Sequence, residues 1–401
     1  MWCGAVFPHE IGGHIGAFLP RRWVRRISRT HRAGKEWARR ELRSRSVAFI
    51  CTHEMLGAKG SVHAFHPPTG AETWSQPLRA GSTCSPAVDE AWVYTCDHVG
   101  NVESRNLETG LLRWWTCLNM EVDHTHLLLY RGKLLVRTLH GVLVCLCSRT
   151  GREKWRMSLP NSCDDPLLQM YDTAPARSSS GKMVYYIDSR ARLIGVSLAS
   201  GEPCWADGPT SRNPLTHTTR RAKGVPIVGK GYIWLMYSVE VHHTDQGPHE
   251  YVVCLASNTG RLVWSRYAGF ERCCLKLASP TQLLVTDLEG GLSALDPKTG
   301  STLWCFQTDF SISVGTPAMS QDLIFIVDTC TTLFAVDARD GTCRWRAALP
   351  HAISSPPVYA RGLVLVASET DGIFAHDARD GALVWHRDVG QLVHFCGLVA
   401  V

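Results

Sequence analysis

Ala294-Leu295-Asp296-Pro297-Lys298-Thr299-Gly300-Ser301-Thr302-Leu303-Trp304 decides the fold. Its centre is a tight turn: proline fixes φ at the start, the Asp side chain can bond the turn backbone, and glycine takes the left-handed position at the end. The segment is one of eight. A Gly four residues ahead of a Trp recurs at Gly70/Trp74, Gly110/Trp114, Gly151/Trp155, Gly201/Trp205, Gly260/Trp264, Gly300/Trp304, Gly341/Trp345 and Gly381/Trp385. The glycine spacings are 40, 41, 50, 59, 40, 41 and 40. A fixed period near forty marks a propeller or a solenoid.

Working outward from each turn, the flanks read as strands. Short apolar runs such as Leu323–Val327 and Leu333–Val336 precede the glycine, and a last strand carries the Trp. Ser85-Pro86, Ser279-Pro280, Thr316-Pro317 and Ser355-Pro356 mark a further strand leading into a unit, which makes four per unit. Six residues before each glycine stands a small residue: Ala64, Ser104, Cys145, Gly195, Cys254, Ala294, Ala335 and Ala375. A large indole matched to a small site predicts that each Trp lies buried over the small site of a neighbouring sheet.

The pattern Ala-x-Asp-x-x-Thr-Gly-x-x-x-Trp resembles the PQQ-like tryptophan-docking repeat. That repeat builds eight-bladed propellers in quinoprotein dehydrogenases and in BamB-type outer-membrane assembly proteins, and it also occurs in propellers attached to kinases and acyl-adenylating enzymes. The resemblance covers residues 47–396. His66, Asn106, Cys147, Ser197 and Ala256 replace the Asp in the first five units. The implied fold is all-β: an eight-bladed propeller of four-stranded antiparallel blades over 47–401, behind a basic extension over 1–46. Unit one has no visible leading strand, so Gln391–Cys396 is expected to supply it and close the ring.

Charge and composition narrow the function. The chain has 401 residues and a net charge of +6, but residues 1–46 hold ten Arg and one Lys against three Glu, or +8. The remainder is therefore −2, which does not suit a general nucleic-acid surface. No stretch is long and apolar enough to span a membrane, and no secretory signal is visible. With sixteen scattered Cys, these features lead to the expectation of a cytoplasmic protein with its thiols reduced, although targeting to an organelle by the Arg-rich segment stays open.

Surplus chain is concentrated in the 50- and 59-residue spacings. It holds Asp164-Asp165; then Arg212, His217, Arg220, Arg221 and Lys223; then His242, His243, Asp245 and His249. These insertions share one face of a propeller, which is the expected binding side. The His-rich loop offers metal ligands by type but meets no fixed spacing, and it is read as solvated, with no metal. Cys273-Cys274 is the remaining oddity. In quinoprotein dehydrogenases a vicinal disulfide in a comparable loop touches the cofactor, so the resemblance implies an alternative with pyrroloquinoline quinone and calcium. The full acidic set for calcium is not identifiable; Glu271 alone is near. The leading expectation is a monomeric, non-catalytic scaffold without cofactor that binds a protein or peptide, with Arg212, His217, Arg220, Arg221, Lys223, His242, His243, Asp245, His249, Cys273 and Cys274 at its site. A third reading is a sensor or accessory propeller for a separate enzyme.

Overall fold

In the computed structural model, residues 47–52, 59–82, 84–122, 127–158, 175–187, 192–206, 219–240, 249–269, 274–287, 289–312, 316–350, 353, 355–368, 371–389 and 398–400 are described. The basic extension 1–46 and the expected closing segment Gln391–Cys396 lie outside them.

The described chain folds into eight four-stranded antiparallel sheets, arranged as the blades of a propeller. Blade 6 is a representative unit: Cys274–Ser279 innermost, then Gln282–Thr286, Gly291–Leu295 and Thr302–Gln307 at the rim. Side chains of the middle strands fill the space between neighbouring blades. Leu284, Leu292 and Ala294 of blade 6, for example, pack against Ile324, Ile326, Phe334 and Val336 of blade 7. Strands buried on both faces read as continuous apolar runs, which is why Leu323–Val327 shows no alternation. The segment Ser279-Pro280 does not lead into a strand as expected. The innermost strand of blade 6 ends at Ser279 and Pro280 sits in the hairpin turn after it, because the missing proline N–H is tolerated there.

The ring closes in blade 1, with the closing strand further along than expected. Leu398–Ala400 pairs antiparallel with Ala48–Cys51, in the register Ala48↔Ala400, Phe49↔Val399 and Ile50↔Leu398. Blade 1 therefore joins the last described strand to the first three.

The small residues stand opposite the Trp of their own blade and not, as expected, under the Trp of a neighbour. Each is the direct cross-strand partner of the Trp in its own blade, as in Cys145↔Trp155, Cys254↔Trp264, Ala294↔Trp304, Ala335↔Trp345 and Ala375↔Trp385. A register shift follows at once in every blade, as between Ala294 and Leu295. This bulge turns the outer strand toward the next blade. The indole then lies over the turn glycine of that blade. A Cβ on Gly201 would stand 2.6 Å from Trp155, one on Gly300 2.8 Å from Trp264, one on Gly341 2.5 Å from Trp304 and one on Gly70 2.7 Å from Trp385. These glycines also have positive φ, Gly341 at 77° and Gly70 at 66°. Sterics and backbone conformation thus both demand glycine.

The indole N–H completes the seam. Trp74 donates to Leu107 O at 3.1 Å, Trp114 to Ser148 O at 2.9 Å and Trp155 to Leu198 O at 3.3 Å. Trp304 donates to Ala338 O at 3.2 Å and Trp345 to Ala378 O at 3.1 Å. Trp264 reaches Pro297 O at 3.1 Å and shares that carbonyl with Trp234, which donates to it at 2.8 Å. Trp385 reaches Pro67 O at 2.7 Å, across 318 positions of sequence, and so seals blade 8 to blade 1.

Burial of the indoles is less complete than expected. Only Trp74 is buried; Trp114, Trp155, Trp205, Trp264, Trp304, Trp345 and Trp385 are half-buried. They sit on the outermost strands, so one face covers the neighbouring turn while an edge stays open at the rim. The turns behave as the Asp positions imply. Asp296 Oδ1 accepts from the amides of Lys298 at 2.7 Å and Thr299 at 3.1 Å, and Asn106 does the same for Glu108 and Thr109.

Candidate functional site

Blade 5 departs from its neighbours. Its strands are Thr219–Val228, Tyr232–Glu240, His249–Ala256 and Leu262–Gly269. Trp234 pairs with Cys254, and the second strand runs on to Glu240, six residues beyond. In blade 6 Leu284 pairs with Ala294, and the strand ends two residues later at Thr286. Four extra residues at about 3.3 Å each lift the blade roughly 13 Å above the common level. The rise lies at the turn between second and third strands, in the register Thr219↔Glu240, Val239↔His249 and Glu250↔Gly269.

Arg220, Arg221 and Lys223 are therefore strand residues and not loop residues. They pair with Val239, Ser238 and Met236. A polar strand without alternation looks like a loop in sequence, and the apolar partner Tyr232–Glu240 is what extends it. His249 opens the third strand, with its ring 5.7 Å from Tyr267. Tyr251 meets Tyr267 edge-on at 5.6 Å, and Tyr267 is exposed at the rim. Desolvation first, then Tyr251 and Glu289, pushes the Tyr267 hydroxyl pKa up. Cys274 opens the innermost strand of blade 6, where its amide donates to Thr286 Oγ1 at 3.3 Å. Arg212, His217, His242, His243, Asp245 and Cys273 lie outside the described residues.

One set of residues on the same face escaped the sequence reading. Asp97, Asp287 and Asp328 sit at the turns between second and third strands, and each carboxylate holds the amide four residues on. Asp97 holds Asn101 N at 2.7 Å, Asp287 holds Gly291 N at 2.7 Å and Asp328 holds Thr332 N at 2.8 Å. Thr138 Oγ1 does the same for Val142 N at 3.1 Å. The signal was available as Asp-x-x-Gly at Asp97–Gly100 and Asp287–Gly290. These turns stiffen the face above which blade 5 rises.

Among the described residues no group of three or more His, Cys, Asp or Glu gathers as a metal cluster, and Glu271 and Cys273 are not among them. Nor is any described helix long and apolar enough to cross a membrane.

Residues 58–276 and 288–400 match the family described as outer membrane protein assembly factor BamB. A curated relative of that name from Moranella endobia is 22% identical over 315 residues, 75% of this chain and 76% of the relative. BamB from Moraxella catarrhalis has the same fold, with TM-score 0.58, 16% identity, and coverage of 81% of this chain and 89% of that one. The quinohemoprotein alcohol dehydrogenase of Comamonas testosteroni also superposes, with TM-score 0.61 and 12% identity over 79% of this chain and 68% of that one, a likeness of fold alone. The expectation of a cytoplasmic protein is overturned by these relatives, which are outer membrane protein assembly factors. Sequence could not show this, because scattered Cys and the lack of a visible export signal report only indirectly on compartment. With the match spanning most of its length, the chain belongs to the outer membrane protein assembly factor BamB family.

Proposed function

We propose that the protein is a non-catalytic scaffold in outer membrane protein assembly, holding a protein partner on the face above which blade 5 rises. The carrying observation is the continuation of the blade 5 strands to Glu240 and His249, about four residues past the level of blade 6. Ring stability does not require that extension, since the other blades fold without it. The innermost strand Thr219–Val228 carries Arg220 and Arg221 into the raised part, with Lys223 at its base opposite Met236, and His249 and Tyr267 stand on the third and outermost strands. Mixed cationic and aromatic chemistry suits a folded or extended protein partner with acidic groups, and charge complementarity there would speed and select the encounter. Family membership supports the same reading, whereas the quinoprotein likeness supports only the ring.

Capture of partners from the source cell by the full chain tests this. Arg220→Glu with Arg221→Glu should remove the principal co-purifying protein and leave the melting temperature within a degree or two. Unchanged capture by that variant, with loss on altering the opposite face, would place the site elsewhere.

A further inference from the structure

Turns between first and second strands, and between third and fourth, lie on the face opposite the raised tip of blade 5. Across blades 3 to 5 these turns are basic. Blade 3, with strands Leu128–Tyr130, Lys133–Arg137, Leu143–Cys147 and Glu153–Met157, presents Arg131, Arg149 and Arg152. Blade 4, from Ala176–Arg177 to Pro203–Ala206, presents Arg177 and Lys182, and blade 5 presents Lys230 and Arg261. All seven are exposed, none pairs with a carboxylate among the described residues, and Glu202 is the one acid in the same turns. Elsewhere on this face the charge is neutralised or reversed. Arg339 and Arg379 of blades 7 and 8 are held by Asp337 and Asp377 at 3.3 and 2.6 Å, and Glu90 and Glu108 stand at the turns of blade 2.

Two of the cations are held together. Tyr130 reaches over the blade 4 turn, where its hydroxyl leaves no room for a Cβ on Gly181. The Arg131 guanidinium lies 5.2 Å from the Tyr130 ring centroid and that of Arg177 lies 4.6 Å from it. A ring wedged across the seam thus gathers one arginine from each blade. Arg131 takes φ 45°, which a residue with a side chain adopts at some cost. Like charges gathered without a counter-ion raise the local potential, and a dense anion relieves it.

We infer that this sector docks the ring on an anionic lipid surface, with headgroup phosphates as its counter-ions. The seven charges stand at strand ends of three neighbouring blades, on one face of the ring, an arrangement that fits a plane. None of the exposed large apolar side chains lies in these turns. A protein interface takes its energy from apolar or aromatic anchors at its centre, and single-stranded nucleic acid stacks its bases on open aromatic faces. The Tyr130 ring is already taken by two arginines, so the sector offers neither device. A membrane surface needs charge alone, and each Lys or Arg near it strengthens binding about fivefold. The net charge of −2 outside residues 1–46 does not cancel the sector, because salt screens each charge within about 8 Å and the acidic turns lie across the ring. The blade 5 tip stays clear on the opposite face, so the ring can hold a membrane and a protein partner at once.

Vesicles of phosphatidylcholine and phosphatidylglycerol, two parts to one, test the docking with the full chain. It should co-sediment with them at about 50 mM salt, much less at about 0.5 M, and not with phosphatidylcholine alone. Residues 1–46 are basic as well, so the readout is each variant against the wild type with that stretch unchanged. Arg131→Asn with Arg177→Gln should weaken binding at least about tenfold with an unchanged melting temperature. Arg339→Gln with Arg379→Gln should leave binding within about twofold. Arg220→Glu with Arg221→Glu should leave it intact even where partner capture is lost. Phosphatidylglycerol with a photoreactive headgroup should label the stretches around Arg131 and Arg177 rather than those around Asp322 and Arg339. Equal binding to neutral vesicles, indifference to the Arg131 and Arg177 changes, or labelling confined to residues 1–46 would overturn the docking. So would an oligonucleotide that strips the chain from the vesicles at equal phosphate concentration.

Discussion

Tyr185 Oη donates to Ser257 O at 2.8 Å and thereby occupies the carbonyl that the docking indole of Trp205 would otherwise reach. Ser257 stands three residues before Gly260, the position of Ala338 before Gly341 and of Leu107 before Gly110. Trp205 still lies over its glycine, where a Cβ on Gly260 would stand 3.0 Å from the ring, but its Nε1 is buried without a partner. The blade 4–5 seam thus keeps the steric half of the docking device and replaces the polar half.

Removing an indole N–H should therefore cost different amounts at different seams. Trp304→Phe gives up the bond to Ala338 O, a carbonyl that keeps Gln282 Nε2 as a donor at 2.7 Å, so it should lose about 1 kcal/mol more than Trp205→Phe, which gives up none. Chemical denaturation of the two variants checks this; equal losses would mean that the N–H contributes nothing to docking.

The glycines separate sterics from backbone conformation. Gly341→Ala meets Trp304 and also has positive φ, whereas Gly362, with φ at 85°, has nothing within 4 Å of a Cβ. Gly362→Ala should cost about 1 kcal/mol from strain alone. Gly341→Ala should cost roughly 3 kcal/mol, since the ring must also move. Thermal unfolding of both gives the comparison.

Thr331 takes φ 63° at a turn where blades 2, 3 and 6 have Gly100, Gly141 and Gly290. A β-branched residue there is strained by about 1 kcal/mol or more. Thr331→Gly should raise the melting temperature, and a fall would show that the Thr side chain holds the turn in some other way.

His376 links stability to pH. Its Nδ1 lies 2.9 Å from Gly381 O, while Nε2 is buried without a partner. Burial pushes its pKa down, because a proton on Nε2 would have no acceptor. Below the ordinary histidine pKa near 6.5 the unfolded chain takes up that proton and the folded one resists it. His376 thus lowers stability as the pH falls from about 7 to 5. His376→Gln should flatten that part of the profile; an unchanged slope would assign the titration to other groups.

What could be read from the sequence was what repeats. The Gly–Trp pair recurs because one steric demand is met at each of eight seams, and period alone exposes it. How far each indole is covered was not legible: Trp155 and Trp264 repeat the pattern of Trp74, yet only Trp74 is buried. The small residue opposite Trp304 was visible, but not its role, since only register shows Ala294 to be its own blade's partner. Arg220, Arg221 and Lys223 looked like a loop because polar residues in a strand tip carry no alternation. Closure was expected from Gln391–Cys396, but so short a strand carries little signal in sequence, and the register Ala48↔Ala400 gives it to Leu398–Ala400.

The central claim is that a closed ring presents one rigid platform to a protein partner. Deleting residues 397–401 tests it most directly, by removing the strand that pairs with Ala48–Cys51 while leaving every docking Trp in place. The account predicts that the truncated chain loses its single cooperative thermal transition and its partner capture together. A truncated chain that melts and captures like the full one would contradict it.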